Sequence, residues 1–226
     1  SSGERSREIF SSDRLIPVFL YWAPNSQMLS FLAMQTDGNH AILHIVPVDG
    51  GETRVMDTGQ PLYWVWTPSA TRMLIHSNGA RAFRPDARLA LLSLDEPVVE
   101  EGLDLRPAIF QAPEVSPSGG HMLIAAETED GDSALMILDM EEQSHEVIAL
   151  TDKNIAFDWS PDGRHICYVT SDHEGYAAHG PLTVVDVGTD TNKLPLTVGR
   201  NIVAFFWSPD GKRVALFETD NGMESL

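Results

Sequence analysis

Apolar residues along this chain come in short runs, each separated from the next by turn-forming residues. Met28-Leu29-Ser30-Phe31-Leu32, Met73-Leu74-Ile75, Met122-Leu123-Ile124, Ile166-Cys167-Tyr168-Val169 and Val214-Ala215-Leu216-Phe217 read as strands. Each follows a proline at 24, 68, 117, 161 or 209, so the prolines are spaced by 44, 49, 44 and 48 residues. Around them recurs one pattern: Tyr21-Trp22-Ala23-Pro24-Asn25, Val65-Trp66-Thr67-Pro68-Ser69, Glu114-Val115-Ser116-Pro117-Ser118, Asp158-Trp159-Ser160-Pro161-Asp162 and Phe206-Trp207-Ser208-Pro209-Asp210. A period in this range marks a repeat architecture.

The pattern predicts two strands joined by a tight turn at each proline. Proline presets φ at the first corner, and Asp162-Gly163 and Asp210-Gly211 tolerate the later, unusual backbone angles. Asn25-Ser26, Ser69-Ala70 and Ser118-Gly119 are weaker versions of the same device. Third strands follow at 40–46, 88–94, 134–139 and 182–187, and more polar fourth strands at 52–57, 97–103, 145–150 and 193–198. Four strands per period with no amphipathic helix between them predict an all-β fold, a β-propeller of four-stranded antiparallel blades. The repeats run over 18–57, 62–105, 108–150, 154–198 and 202–226, the last incomplete, in a single domain spanning 1–226. Trp22, Trp66, Trp159 and Trp207 hold equivalent positions and are expected to pack between blades. Glu8-Ile9-Phe10 is expected to be an outer strand of a preceding or closing blade, and the whole a segment of a larger propeller.

Composition then narrows the function classes. The chain has 226 residues and 42% hydrophobic content, enough for a substantial core. Its 15 basic against 33 acidic residues give a net charge of −18, which opposes binding to nucleic-acid backbones and anionic membranes. No apolar run is long enough to insert in a bilayer. The single cysteine, Cys167, excludes an internal disulfide and is expected to be a buried, inert thiol.

Residues 157–166, Phe157-Asp158-Trp159-Ser160-Pro161-Asp162-Gly163-Arg164-His165-Ile166, and the matching stretch from Phe206 to Ala215 closely resemble the WSPDG repeat of TolB-like propellers. The same repeat is similar to that in the N-terminal propellers of prolyl oligopeptidase and dipeptidyl peptidase relatives. Repeats one to three depart from it at the Asp-Gly positions, so the resemblance implies the fold rather than one subfamily. It implies a protein-interaction scaffold, with a periplasmic or extracytoplasmic setting, or a substrate-gating domain of a larger serine hydrolase. No Gly-x-Ser-x-Gly elbow and no strand-helix alternation occur, so hydrolase activity is not carried over and no catalytic residue is expected.

Candidate chemistry is sparse, and neither a cofactor nor a metal is expected. His173-Glu174 with His179 lacks zinc spacing and reads as a solvated loop. His40 and His44 share one strand face and read as surface or half-buried residues, while residues 127–132 lack the full calcium-loop pattern and read as a hairpin turn. An apolar first-strand lining argues against a small molecule or carbohydrate in the central channel, the third of three binding readings. The loops joining second to third strands, and one blade to the next, gather on one rim at 36–39, 78–87, 127–132, 171–180, 59–62, 104–112, 151–155 and 199–202. They carry Arg81, Phe83, Arg84, His173, Tyr176 and His179, which makes this rim the expected contact face for a protein or peptide partner.

Overall fold

The computed structural model of this chain describes residues 6–35, 40–81, 84–108, 111–142, 144–171, 179–187 and 195–219. Phe83, His173, Glu174 and Tyr176 lie outside the described residues. Among the described residues every regular element is a strand. The first blade comprises β1 (Leu15–Trp22), β2 (Met28–Gln35), β3 (Ala41–Pro47) and β4 (Arg54–Gly59), and the second β5 (Leu62–Trp66), β6 (Arg72–Ser77), β7 (Arg88–Ser93) and β8 (Glu100–Gly102). The third contains β9 (Glu114–Val115), β10 (His121–Glu127), β11 (Ser133–Asp139) and β12 (His145–Leu150). Each of these sheets is four-stranded, and its strands pair antiparallel in chain order.

The proline-marked turns are built alike. The residue before each proline donates its amide to a carbonyl five residues on, from Ala23 to Met28, Thr67 to Arg72, Ser116 to His121, Ser160 to His165 and Ser208 to Arg213. The residue two after the proline closes the turn and adopts positive φ: Ser26 (59°), Ala70 (54°), Gly119 (79°), Gly163 (68°) and Gly211 (68°). Glycine meets that angle at no steric expense, whereas Ser26 and Ala70 hold it against their own side chains.

Stacking of blades follows from the two-residue period of each second strand. Met73 and Ile75 face the first blade and join Leu32, Leu43, Ile45, Trp64 and Trp66 in one buried cluster. Leu74, between them in sequence, points the other way into a cluster with Met122, Ile124 and Met136 of the third blade. Leu123 and Ile137 then pack against Phe157, Trp159 and Ile166 of the fourth. Each side chain of this kind contributes about 1.5–3 kcal/mol when fully buried, so successive junctions are the main source of cohesion.

The fourth and fifth repeats depart from four strands each. They form a single five-stranded sheet of β13 (Ile155–Trp159), β14 (His165–Thr170), β15 (Gly180–Asp186), β16 (Leu196–Trp207) and β17 (Val214–Glu218). The expected loop at 199–202 is instead a bend inside β16, which pairs with β15 through Leu196–Ile202 and with β17 through Ile202–Trp207. Gly199 makes the bend possible: its φ is +70°, and a Cβ there would stand 2.6 Å from Ile202 Cδ1.

Two further expectations change at the first blade. Glu8-Ile9-Phe10 forms no strand. The segment lies over the face of the first blade turned away from the second, where Ile9 and Phe10 pack against Leu29, Phe31, Ala33 and Val46. The Arg7 guanidinium anchors it by donating to the carbonyls of Val48 and Asp49, and the His44 ring, buried on the same face, stacks on Phe31 at 5.0 Å. Trp22 is 57% exposed, whereas Trp66 and Trp159 are 7% and 5% exposed and Trp207 is half-buried. The equivalent position is therefore a core site only where a preceding blade packs on it.

Candidate binding site

The rim between the second and third blades is assembled by main-chain bonds. Residues 106–108 run along the end of β10, where Glu127 donates its amide to the Arg106 carbonyl at 2.8 Å and Pro107 bridges Ala126. Arg81 donates its amide to the Pro107 carbonyl at 2.9 Å, which joins the rim loop of the second blade to the same segment. Behind them His76 is buried, its Nδ1 2.9 Å from the Gln111 carbonyl oxygen and its Nε2 3.1 Å from that of Gly79. Burial pulls the His76 pKa down, and the neutral ring donates to one carbonyl at a time.

On this support sits a groove of about 400 Å³. Arg81 and Arg106 line it together with Asp104, Glu127 and Glu129, so both signs of charge meet at one loop cluster. Arg106 Nε is 3.6 Å from Glu127 Oε2, a loose pair with the arginine largely in solvent. Along Leu103, Asp104 and Leu105 the groove adjoins a second cavity of about 290 Å³ that runs between the sheets of the two blades. Its lining is mixed, with Leu91, Met122, Leu138 and Met140 beside Arg72, Glu101, Asp104 and His145. The cavity lies where β8 is three residues long, against six in β4 and β12, so the chain leaves the blade edge early at Leu103.

The residues expected at the rim are distributed as follows. Arg81 lines the groove. Arg84 is exposed and turned to Asp86, with Nε to Oδ1 at 3.1 Å, an ion pair that holds the Asp86 carboxyl below its usual range. His179 is half-buried immediately before β15 in the fourth blade, two blades from Arg81. Sequence reasoning passed over Arg106, Leu103, Leu105 and His145, which line the two cavities. The signal available was Leu103-Asp104-Leu105, two leucines inside a connection that would otherwise be polar. The 127–132 loop is a hairpin turn in which the Thr128 amide donates to the Asp132 carbonyl at 2.8 Å and Gly131 takes φ 89°.

The inner strands hold a different constellation. Position three before the repeat proline brings Glu114 of β9 and Asp158 of β13 to neighbouring blade edges, beside a groove of about 400 Å³ that Phe206 also lines. Burial, reinforced by the Asp158 charge, pushes the Glu114 carboxyl up to about 7, and burial raises Asp158 as well. The same surroundings push the Cys167 thiol up to about 12, so the buried thiol stays protonated at neutral pH.

No family model matches the chain, and no curated protein matches it. Solved structures do. TolB from Acinetobacter baumannii superposes with a TM-score of 0.60 at 20% identity over 87% of this chain and 48% of its own. The β-propeller domain of the Trilobed protease from Pyrococcus furiosus gives 0.63 at 11% identity, covering 92% and 64%. Oligogalacturonate lyase from Vibrio parahaemolyticus gives 0.68 at 11% identity, covering 90% and 63%. The chain spans about half the length of that TolB and under two-thirds of the other two. With its sheets stacked face to face and these neighbours beside it, the chain has the TolB-like β-propeller fold, shared with the propeller domains of peptidases and of a lyase.

Proposed function

We propose that this chain is a non-catalytic binding propeller that takes an extended protein or peptide segment on its loop-bearing rim, across the junction of the second and third blades. The observation that carries this reading is the groove in which Arg81 and Arg106 stand beside Asp104, Glu127 and Glu129, next to Leu103 and Leu105. Interleaved charges fix the register of a polar segment, and the leucines offer the apolar contact that supplies most of the affinity. The loops are held by main-chain bonds to β10 and to one another, so little ordering is required on binding.

The test is selection of a random dodecapeptide display library on the immobilised chain, followed by titration of the recovered peptides. Selected peptides should bind the wild type and lose affinity by about tenfold or more on Arg81→Glu with Arg106→Glu, since two favourable contacts become repulsive. Recovery of no peptide, or equal affinity for both proteins, overturns the reading.

A further inference from the structure

The inner strand of the third blade is the shortest among the described residues. β9 has two residues, against eight in β1 and five in each of β5 and β13. The Ser116 amide donates to the His121 carbonyl at 2.8 Å, and the two-residue period makes Glu114 and Leu123 the next pair whose main-chain groups face each other. Among the described residues, the chain before β9 is tied to this edge of β10 only from Ala108 backwards, where the Ala108 amide donates to the Ala125 carbonyl at 3.2 Å. A strand with so few bonds is held largely by what its side chains touch. Val115 packs with Val65 and Leu74 of the second blade, so Glu114 is turned to the fourth. There it lines the inner groove with Asp158 of β13 and with apolar residues of β14 and β16, among them Val169, Ile202 and Phe205.

The groups that face Glu114 give its charge no counter-ion. β13 brings Asp158, whose carboxyl accepts one main-chain N–H, that of Trp159. β10 brings His121 on the same face, directed to Asp139 at 3.5 Å with its ring against Trp159. β16 brings the apolar residues 202–206, and β5, on the Val115 side of the strand, brings Tyr63. Behind Asp158, Cys167 of β14 stays a protonated thiol. Among the described residues the Glu114 carboxyl has no hydrogen-bond partner, so its ionisation leaves a half-buried charge beside a like one. We propose that β9 is a proton latch: with Glu114 protonated the strand stays on the edge of β10, and on ionisation of Glu114 beside Asp158 it lets go locally and opens the inner groove. Detachment carries the carboxylate into water, so the open strand binds the proton less tightly than the closed one and a rise in pH favours opening. Residues 106–108 hold β10 through Ala125 and Glu127 by bonds of their own, so the latch neither requires nor disturbs the rim groove.

The test is amide hydrogen exchange of the full chain, read by NMR as protection relative to the free-peptide rate at each pH. The Leu123 amide faces β9, the Ile124 amide beside it faces β11, and Glu127 donates to the Arg106 carbonyl. Between pH 5 and pH 8 the protection of Leu123 should fall on the order of tenfold or more, the response of a carboxyl that holds its proton to about pH 7 in the closed strand and to about 4.5 in the open one. Ile124 and Glu127 should keep their protection. Glu114→Gln, which cannot ionise, should hold Leu123 protected at both pH values. Asp158→Asn should shrink the pH response without removing it, because burial is the larger influence on Glu114. Leu123 protection that ignores pH, the same fall in Glu114→Gln, a parallel fall at Ile124 or Glu127, or an undiminished response in Asp158→Asn each overturn the inference.

Discussion

The junction between the first and second blades and that between the third and fourth are built on the same repeat positions, yet they differ in how they treat polar atoms. In the former, Ser30 Oγ accepts the indole N–H groups of Trp64 and Trp66, both at 2.8 Å, and its own hydroxyl donates to the Tyr21 carbonyl at 3.2 Å. In the latter, the residue in the place of Ser30 is Leu123, as the pairings Tyr21↔Ser30 and Glu114↔Leu123 show. Trp159 packs there with its Nε1 buried and, among the described residues, without a partner. Trp207 repeats the case against Cys167 at the next junction. Among the described residues the N–H at this repeat position is thus satisfied at Trp66, whereas Trp159 and Trp207 bury it unpaired for the sake of the ring's apolar area, and the third repeat has Val115 there.

The largest effect that would break this comparison is expected from Ser30→Ala. It strips two buried indole groups of their acceptor and should lower stability by roughly 2–6 kcal/mol in urea unfolding, at about 1–3 kcal/mol per orphaned group. A loss below half a kcal/mol, the scale of an ordinary surface substitution, would mean that the shared hydroxyl is not the organising feature of that junction.

Next in size is the acid at the inner edge of the junction between the third and fourth blades. Glu114 has its pKa raised from 4.5 to about 7, so the folded chain holds a proton that the unfolded chain has released. The stability tied to this proton is fully present below pH 4.5 and is lost as pH rises to about 7. Glu114→Gln should therefore stabilise the protein at pH 8, by on the order of 2 kcal/mol, and flatten its dependence between those values. Melting curves of both proteins at pH 5 and pH 8 check this, and a parallel pH response would remove Glu114 as its source.

A finer contrast comes from the rings themselves. Trp66→Phe removes a satisfied donor and Trp159→Phe an unsatisfied one, while the change in size is the same. The former should be more destabilising by about 1 kcal/mol, the net worth of one hydrogen bond. Equal losses would show that packing area alone decides both sites. The smallest effect should be that of Arg84→Ala, whose partner Asp86 is also exposed; its unfolding curve should overlay that of the wild type.

Much of the architecture was readable in the residues because it is local and repeated. The turn at Pro161 needs Asp162 and Gly163 in that order, and the β14 run after it alternates Ile166 and Cys167 between two neighbours. The candidate site was readable only in part. Arg81 stood out as a charged residue in a long loop, but its pairing with Arg106 depends on how residues 106–108 lie along β10. Nor could composition show that Glu114 and Asp158 approach one another, since they are far apart along the chain and meet through adjacent inner strands.

Strand identity, turn type and the two faces of each strand were written into the order of residues, because steric limits on φ and a two-residue period act over a few neighbours. The exposure of Trp22, the fusion of two expected strands into β16 and the cavity behind Leu103 were settled only once the sheets stacked. Those outcomes depend on what lies against a face, and the repeat has the same residues whether or not that face is covered.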